Sequence, residues 1–209
     1  QVLTVDEISG RPVYVADSAN TATALATGQV TSRGRIATSA GKDEDLPTIL
    51  ELANAKGYKT GLVTTSSITD ATPASFAAHV SSRYCESPAA MIDIVKYGIK
   101  LGNCLSDLKI NGGPGSISEQ LAKSNTHILL GGGRQYFTVT SEMKQKTSLQ
   151  QALESGFVVI NSWEESNQLH LRDRVLGLFS EEHLQVKLRG EGDRSAELPK
   201  KSLLNNINN

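Results

Sequence analysis

The chain has 209 residues and a formal net charge of −1, and 38% of its residues are hydrophobic. This apolar fraction is far above that of disordered chains, and the near-zero charge argues against nucleic acid as the main partner, because nucleic acid requires a basic surface. No segment approaches the roughly 20 apolar residues of a membrane-spanning helix, and the length corresponds to about one domain. Because the chain starts at Gln1 and ends in a polar run, we expect a processed or truncated protein.

Predicted strands and helices alternate along the chain. In the first half they are a strand at 13–15, a helix at 19–27 closed by Gly28, a polar loop at 29–45, a helix at 47–56, a strand at 59–65, a loop at 66–70 and a helix at 72–80. In the second half they are an irregular segment at 86–103, a turn at 112–115, a helix at 118–123, a strand at 127–130, a helix at 149–155, strands at 157–160 and 175–179, and a surface loop at 187–201. This alternation predicts an α/β fold with a largely parallel sheet.

Asp17, Ser18 and Ala19 fall at a predicted junction between a strand and a helix. Ligands of open parallel sheets bind at the carboxyl ends of the strands, and a helix N-terminus carries roughly half a positive charge, which favours an anionic adduct on the serine. A plain helix cap is the alternative, since Asp and Ser are preferred there. By themselves these residues favour the cap, and they do not form the Gly-x-Ser-x-Gly turn of esterases.

Three further features have simple structural interpretations. The glycines at 131–133 lack the Lys-Ser/Thr ending of a phosphate-binding loop, so we interpret them as a tight turn after a strand. The histidines show no HxH or HxxxH spacing, and His79 is predicted to be a packing residue on its helix. Taken alone, Arg83 is typical of a surface residue, and Asp70 and Thr72 are typical of a capping pair.

Cys85 and Cys104 are the two cysteines of the chain. They could be buried free thiols, or a disulfide that closes a loop of about 20 residues and contributes about 3 kcal/mol. The two residues alone leave both possibilities open. No CxxC pair is present, so a cysteine-ligated zinc site is not expected.

Ordered segments of the sequence resemble the alkaline phosphatase family. They are residues 15–24, 47–53, 70–74, 79–85, 115–121, 130–133 and 176–179. The resemblance covers most of residues 12–190, and the order of the segments makes it specific where any single segment would be weak. It implies a three-layer α/β sandwich with a largely parallel central sheet, incomplete in this chain, so that residues 1–209 form a partial alkaline phosphatase domain.

The resemblance also implies an activity, the hydrolysis of phosphate monoesters, and a role for each matched residue. Ser18 would attack phosphorus and form a phosphoserine that water then hydrolyses. Arg83 would bind two phosphate oxygens, with Asp17 helping to orient it. Thr72 would be a magnesium ligand, and Asp70 would organise that magnesium site through bound water. Two zinc ions per active site would bracket the phosphate, one of them activating Ser18.

The sequence also departs from the family pattern. The family's first metal-binding aspartate lies in an Asp-Gly-Met-Gly segment, and the 17 residues before Ser18 contain no match to it. The family's other zinc ligands lie in Asp-x-x-x-His and Asp-His pairs, and neither pattern occurs here. We therefore expect the isolated chain to be inactive, and the alternative interpretation is a fragment or anion-binding module without catalysis. Asp rather than His at position 70 indicates the bacterial type.

Matching segments on both sides of the cysteines imply that Cys85 and Cys104 form a disulfide of the family. Because disulfides persist in oxidising compartments, the expected location is the periplasm or the extracellular space. The expected partners are small phosphate monoesters, with no nucleic acid and no membrane span in this chain. The full-length form is expected to be a homodimer.

Overall fold

The computed structural model describes residues 4–6, 9–96, 98–140 and 146–185. The α-helices in these ranges are α1 (Ser18–Thr27), α2 (Ile49–Ala55), α3 (Ala71–Ala74), α4 (Ile117–Lys123), α5 (Arg134–Thr138) and α6 (Ser148–Glu154). The strands are β1 (Thr4–Val5), β2 (Pro12–Val13), β3 (Gly61–Ser67), β4 (Val95–Lys96), β5 (Ile99–Lys100), β6 (Ile128–Gly132), β7 (Phe157–Ile160) and β8 (Arg174–Leu178). Within the same ranges, no helix is long and apolar enough to cross a membrane.

The central sheet of the described chain has four parallel strands in the order β3–β6–β8–β7. Leu62, Leu129, Leu176 and Val159 occupy one register row across it and therefore point to the same face. Leu129 and Leu176 are fully buried, and Leu62 and Val159 pack against the same core. The predicted α/β fold with a parallel central sheet is confirmed.

Helices cover this face of the sheet and complete the main core. Ala74 of α3, Leu121 of α4, Phe137 of α5 and Ala152 of α6 are fully buried in the same cluster as the central leucines. Burying one leucine side chain stabilises a fold by about 1.5–3 kcal/mol. These four helices are therefore packed onto the sheet through one continuous core.

The opposite face of the sheet carries a smaller apolar cluster. Leu130, Ile160 and Val175 are buried there, with Phe179 among the residues packed against them. Val63 on the edge strand β3 is 57% exposed. The described residues thus cover this face less completely than the helical face.

The predicted strand at 13–15 is wrong in extent and in position. β2 covers only Pro12–Val13 and pairs antiparallel with β1, outside the central sheet. Tyr14 and Val15 are largely exposed, so this segment lacks the burial of a central strand. The helix that starts at Ser18 consequently follows an irregular segment and not a strand of the sheet.

The predicted helix at 72–80 is much shorter in the structure. It corresponds to α3, which ends at Ala74 with Ser75 as its C-cap. Val80 instead exchanges two backbone hydrogen bonds of 3.1 Å with Ile36. Because Ile36 lies far earlier in the chain, the local sequence pattern gives no sign of this pairing.

The glycines at 131–133 also differ from the predicted tight turn. The first two belong to β6, and Gly133, at φ +96°, is the N-cap of α5, a helix that the sequence did not predict. A Cβ atom on Gly132 would overlap the backbone carbonyl of Glu182. A close approach between two backbone segments therefore explains the glycine at this position.

The other predicted helices and strands are present with ends shifted by one or two residues, except that the strand predicted at 157–160 coincides with β7. The helix predicted from Pro47 is α2, which begins after that proline because Thr48 is its cap. The irregular segment at 86–103 contains the antiparallel hairpin of β4 and β5. The loop predicted at 187–201 lies outside the described residues.

A disulfide joins Cys85 to Cys104, as the resemblance implies. Both half-cystines are buried in the main core. The bridge encloses the β4–β5 hairpin and fixes the chain two residues after Arg83. The arginine is thereby attached to a covalently closed loop.

Candidate active site

The N-terminus of α1 presents Ser18 at the surface. Asp17 is the N-cap: its carboxylate accepts the backbone N–H of Asn20 at 3.1 Å, and the Asn20 side-chain oxygen accepts the N–H of Asp17 at 2.8 Å. This reciprocal pair satisfies two backbone donors at the helix start. The capping interpretation is thus correct for Asp17, and it leaves Ser18 exposed as the first residue of a ten-residue helix.

The second short helix, α3, begins in a related way. The carboxylate of Asp70 accepts the backbone N–H of Ala71 at 2.8 Å, so Asp70 is the N-cap. Thr72 lies exposed on this helix, two residues further on. Of the predicted capping pair, only Asp70 acts as a cap.

Arg83 brings the two helix starts together. Its Nη1 atom donates to Ser18 Oγ at 2.6 Å and lies 3.5 Å from Asp17 Oδ2. Its Nη2 atom donates to Asp70 Oδ1 at 2.9 Å. Three of the predicted site residues therefore converge on the guanidinium of the fourth, and the interpretation of Arg83 as an ordinary surface residue is wrong.

The charged groups of this site are partly shielded from water. The side chains of Asp17, Asp70 and Arg83 are 18%, 31% and 20% exposed, whereas Ser18 is open to solvent. Two carboxylates and one guanidinium carry a summed formal charge of −1. The planar guanidinium suits a phosphate or carboxylate ligand, and the neighbouring carboxylates hold its orientation.

One further residue touches both sides of the site and was missed by the sequence analysis. The N–H of Gly34 donates to both carboxylate oxygens of Asp17, at 3.3 and 3.2 Å, and its carbonyl accepts the N–H of Arg83 at 2.7 Å. These contacts are made by backbone atoms in a polar loop. No residue type in the sequence signals them.

Metal ligands were expected at Asp70, Thr72 and Ser18. The described residues contain no group of three or more His, Cys, Asp or Glu side chains that could hold a metal ion. A catalytic zinc ion needs about three such ligands, so these residues do not fit the zinc pair that the resemblance implies. The oxygen atoms of Asp70 and Thr72 do match the donor chemistry of magnesium.

Of the described histidines, His79 and His183 bond groups of the fold outside this site. His79 is bonded at both ring nitrogens, through Nδ1 to the Ala37 carbonyl at 2.9 Å and through Nε2 to Glu51 Oε1 at 2.8 Å. Burial opposes a charge on the ring, but these two acceptors outweigh it and the pKa of His79 is raised above 6.5. The Nδ1 atom of His183 accepts the N–H of Ser67 at 2.9 Å. His79 is a packing residue, as predicted, although not on a helix.

Comparisons with known proteins identify the family of the chain. The family model for alkaline phosphatase matches residues 4–203. The chain is 43% identical over 189 residues to the streptomycin-6-phosphate phosphatase of Streptomyces griseus, covering 89% of this chain and 40% of that protein. It is 38% identical over 191 residues to the alkaline phosphatase of Escherichia coli, covering 87% of this chain and 38% of that enzyme.

Solved structures lead to the same group. The alkaline phosphatase of the Antarctic bacterium TAB5 superposes with a TM-score of 0.66 at 26% identity, covering 93% of this chain and 48% of that one. A cold-active alkaline phosphatase from a Shewanella species gives 0.64 at 29% identity, with 90% and 38% of the two chains covered. The chain thus spans about two fifths of the length of the curated relatives that it matches. With its fold and most of its length matched to one family model, the chain belongs to the alkaline phosphatase family.

Proposed function

We propose that the full-length protein hydrolyses small phosphate monoesters through a phosphoserine formed on Ser18. The observation that carries this proposal is the 2.6 Å contact between Arg83 Nη1 and Ser18 Oγ. It pairs a hydroxyl at a helix N-terminus with the one kind of side chain that binds phosphate in two-pronged fashion. The names of the relatives, phosphatases in every case cited, support the same reaction class.

In the proposed first step, Ser18 Oγ forms a bond to phosphorus while the bond from phosphorus to the ester oxygen breaks. The alcohol leaves with a proton, and the phosphate stays on the serine. In the second step, water attacks phosphorus and the bond to Ser18 Oγ breaks. One proton of the water returns to Ser18 Oγ, and inorganic phosphate is released. The positive charge of Arg83 and the partial positive charge at the start of α1 both favour the anionic form of Oγ.

Arg83 has two further duties in this proposal. Its guanidinium binds two oxygens of the phosphoryl group, and it holds them in place while the bond to Ser18 forms. Asp17 and Asp70 fix the plane of the guanidinium from two sides, at 3.5 and 2.9 Å. Asp17 is thus a positioning residue, and Arg83 is the substrate-binding one.

Cations complete the proposed site. A phosphate dianion would enter a group of side chains whose charges already sum to −1, so additional positive charge is needed for tight binding. We assign Asp70 and Thr72 to a magnesium site on the basis of their oxygen donors. Two zinc ions, as in the family resemblance, would supply Lewis acidity, and their ligands would have to come from beyond the described residues.

A second function is an anion-binding module without catalysis. It is favoured by the same finding, that the described residues hold no cluster of metal-ligating side chains. In that case Arg83 would bind phosphate and Ser18 would not react. The 209-residue chain expressed alone is expected to behave in this way, with no Ser18-dependent turnover even when zinc and magnesium are supplied.

Acid quenching separates the two functions. The full-length protein is incubated with a phosphate monoester labelled on phosphorus, stopped with acid and digested. We expect the label on the peptide that contains Ser18, no label in Ser18→Ala, and normal labelling in the control Ser155→Ala, whose hydroxyl bonds Gln151 at the end of α6. Phosphate binding without any label would establish the anion-binding module instead.

Location and assembly are part of the proposal. The buried Cys85–Cys104 disulfide supports an oxidising compartment, which is the periplasm or the extracellular space. A homodimer of the full-length form rests on the family resemblance alone. Fractionation of the producing cells tests the location, and sedimentation of the purified full-length protein tests the homodimer.

A further inference from the structure

The peptide groups of Gly34 lie between the two segments that build the site. The N–H group points to the Asp17 carboxylate, and the carbonyl receives the N–H of Arg83 at 2.7 Å. Asp17 caps α1 directly before Ser18, and Arg83 donates to Ser18 Oγ. The backbone of Gly34 therefore bonds both the segment that carries Ser18 and the segment that carries Arg83.

These contacts depend on an unusual backbone conformation. Gly34 has φ +81°, in the left-handed region that L-residues with a Cβ atom rarely adopt. A Cβ atom built on Gly34 meets nothing within 4 Å. Substitution of Gly34 is therefore opposed by the conformational preference of the backbone and not by steric contact of the new side chain. A variant at this position tests the backbone conformation alone.

The chain on the far side of Gly34 is fixed independently. The backbone of Ile36 exchanges two hydrogen bonds with Val80, and both residues are fully buried. The guanidinium of Arg35 bonds Thr38 Oγ1 at 3.0 Å and also pairs with Asp43. A change of φ at Gly34 therefore cannot be absorbed by the following residues without loss of these contacts. It displaces the bonds to Asp17 or to Arg83 instead.

We propose that Gly34 is a positioning residue, whose left-handed peptide sets the distance between Arg83 and Ser18 by bonding Asp17 on one side and Arg83 on the other. This inference rests on the proposed function, because it concerns the same phosphate site. It assigns a functional role to the 29–45 loop. The role is performed by two backbone groups and needs no side chain.

The test compares three variants of the full-length protein. Gly34→Ala places a Cβ atom on the strained φ, and Gly34→Asn does the same with a residue that tolerates left-handed backbone. Gly57→Ala is the matched control, since Gly57 also has φ +81° with nothing within 4 Å of its Cβ position but lies after α2, with no bond to the site. The strain at one such residue is well below the stability of an ordinary domain, so all three are expected to fold.

Two quantities are measured on each variant: the dissociation constant of inorganic phosphate, and the deuterium exchange rate of the Arg83 amide. For Gly34→Ala we expect phosphate binding weakened at least about fivefold and faster exchange at Arg83. For Gly34→Asn, the dissociation constant of phosphate should lie within about twofold of the parent value, because asparagine restores the preference for a left-handed φ. Gly57→Ala should lose thermal stability while both site measurements stay at parent values.

The inference is overturned if Gly34→Ala loses stability as Gly57→Ala does but keeps parental phosphate binding and parental exchange at Arg83. It is also overturned if Gly34→Asn is as impaired as Gly34→Ala, because conformation would then not be the cause. If the parent protein binds no phosphate, the proposed function fails. The exchange rates of the Arg83 amide then decide alone whether Gly34 couples the two segments.

Discussion

Arg83 Nη1 lies 2.6 Å from Ser18 Oγ, although 65 residues separate the two in the chain. The contact joins the N-terminus of α1 to the loop that precedes the disulfide. Each residue taken alone has an ordinary structural interpretation. Together they place a serine hydroxyl against a guanidinium that can bind phosphate.

Arg83→Ala is expected to weaken the binding of inorganic phosphate by about tenfold or more. A charged, two-pronged contact contributes about 1.5–3 kcal/mol to binding, whereas the melting temperature is expected to stay nearly unchanged. Isothermal titration of phosphate and thermal unfolding check the two effects on the same samples. Arg134→Ala is the control, because Arg134 also pairs with a carboxylate, Glu181 at 2.6 Å, but outside the site. A large fall in melting temperature with unchanged phosphate affinity would assign Arg83 to the fold.

Removal of the disulfide is expected to lower both stability and phosphate affinity. A bridge that closes a loop of about 20 residues contributes about 3 kcal/mol, and this one lies two residues from Arg83. The double variant Cys85→Ala/Cys104→Ala should therefore melt lower and bind phosphate more weakly than the parent. Mass spectrometry of a non-reducing digest should show the two peptides linked in the parent protein. Two free thiols in natively exported material would contradict the assignment.

The Glu51–His79 pair is expected to give the fold a pH-dependent contribution. Its pKa values move apart: burial opposes both charges, but mutual bonding lowers the pKa of Glu51 below 4.5 and raises that of His79 above 6.5. The His79 contribution is fully present below about pH 6.5 and is lost as the pH rises through the raised pKa, whereas that of Glu51 is lost only in acid. The pair therefore stabilises most at about pH 5–6.5.

Thermal unfolding of Glu51→Gln checks this expectation. The variant should melt about 2–3 °C below the parent at about pH 6, and the difference should narrow by about pH 9. Glu119→Gln is the control, because Glu119 pairs with Lys109 at 2.7 Å and a lysine ordinarily stays charged over this range. The melting temperature of Glu119→Gln should lie below that of the parent by a similar amount at both pH values. Equal pH dependence in the two variants would show that His79 is not responsible.

Gly132→Ala is expected to be strongly destabilising. The added Cβ atom would overlap the backbone carbonyl of Glu182, and backbone cannot move aside as a side chain can. Overpacking of this kind costs about 1–3 kcal/mol, so the melting temperature should fall by about 5–10 °C. Gly61→Ala in the same sheet is the comparison, since its nearest neighbour is the Ile128 Cβ atom at 3.1 Å. A similar loss in both variants would point to β-strand propensity and not to the close approach.

The sequence predicts the parts of the fold whose signals are local. α1 is recognisable from its small residues and from Gly28, which ends it at φ +74°. The strands predicted at 157–160 and 175–179 correspond to β7 and β8. The helix predicted at 72–80 fails because Val80 pairs with Ile36 across a long interval. β2 lies outside the central sheet because it pairs antiparallel with the nearby β1, and the local sequence pattern does not indicate this pairing.

The residues of the candidate site also divide into those that the sequence predicts and one that it does not. Asp17, Ser18, Asp70 and Arg83 were found through ordered family segments, and the structure places them around one guanidinium. Gly34 could not be found, because its contacts are made by backbone atoms that every residue possesses. Its signature is a positive φ, which is a property of the folded chain.

The long interval between Ser18 and Arg83 has a consequence for the newborn chain. Protein synthesis proceeds from the N-terminus at about 5–20 residues per second, so Ser18 is made roughly 3–13 s before Arg83. During that time α1 can form and Asp17 can cap it, but the guanidinium that orients the serine does not yet exist. The loop between them must then close, and its entropic cost rises by only about 0.6 kcal/mol per doubling of length. Ser18 and its helix cap are thus complete before the contact with Arg83 can form.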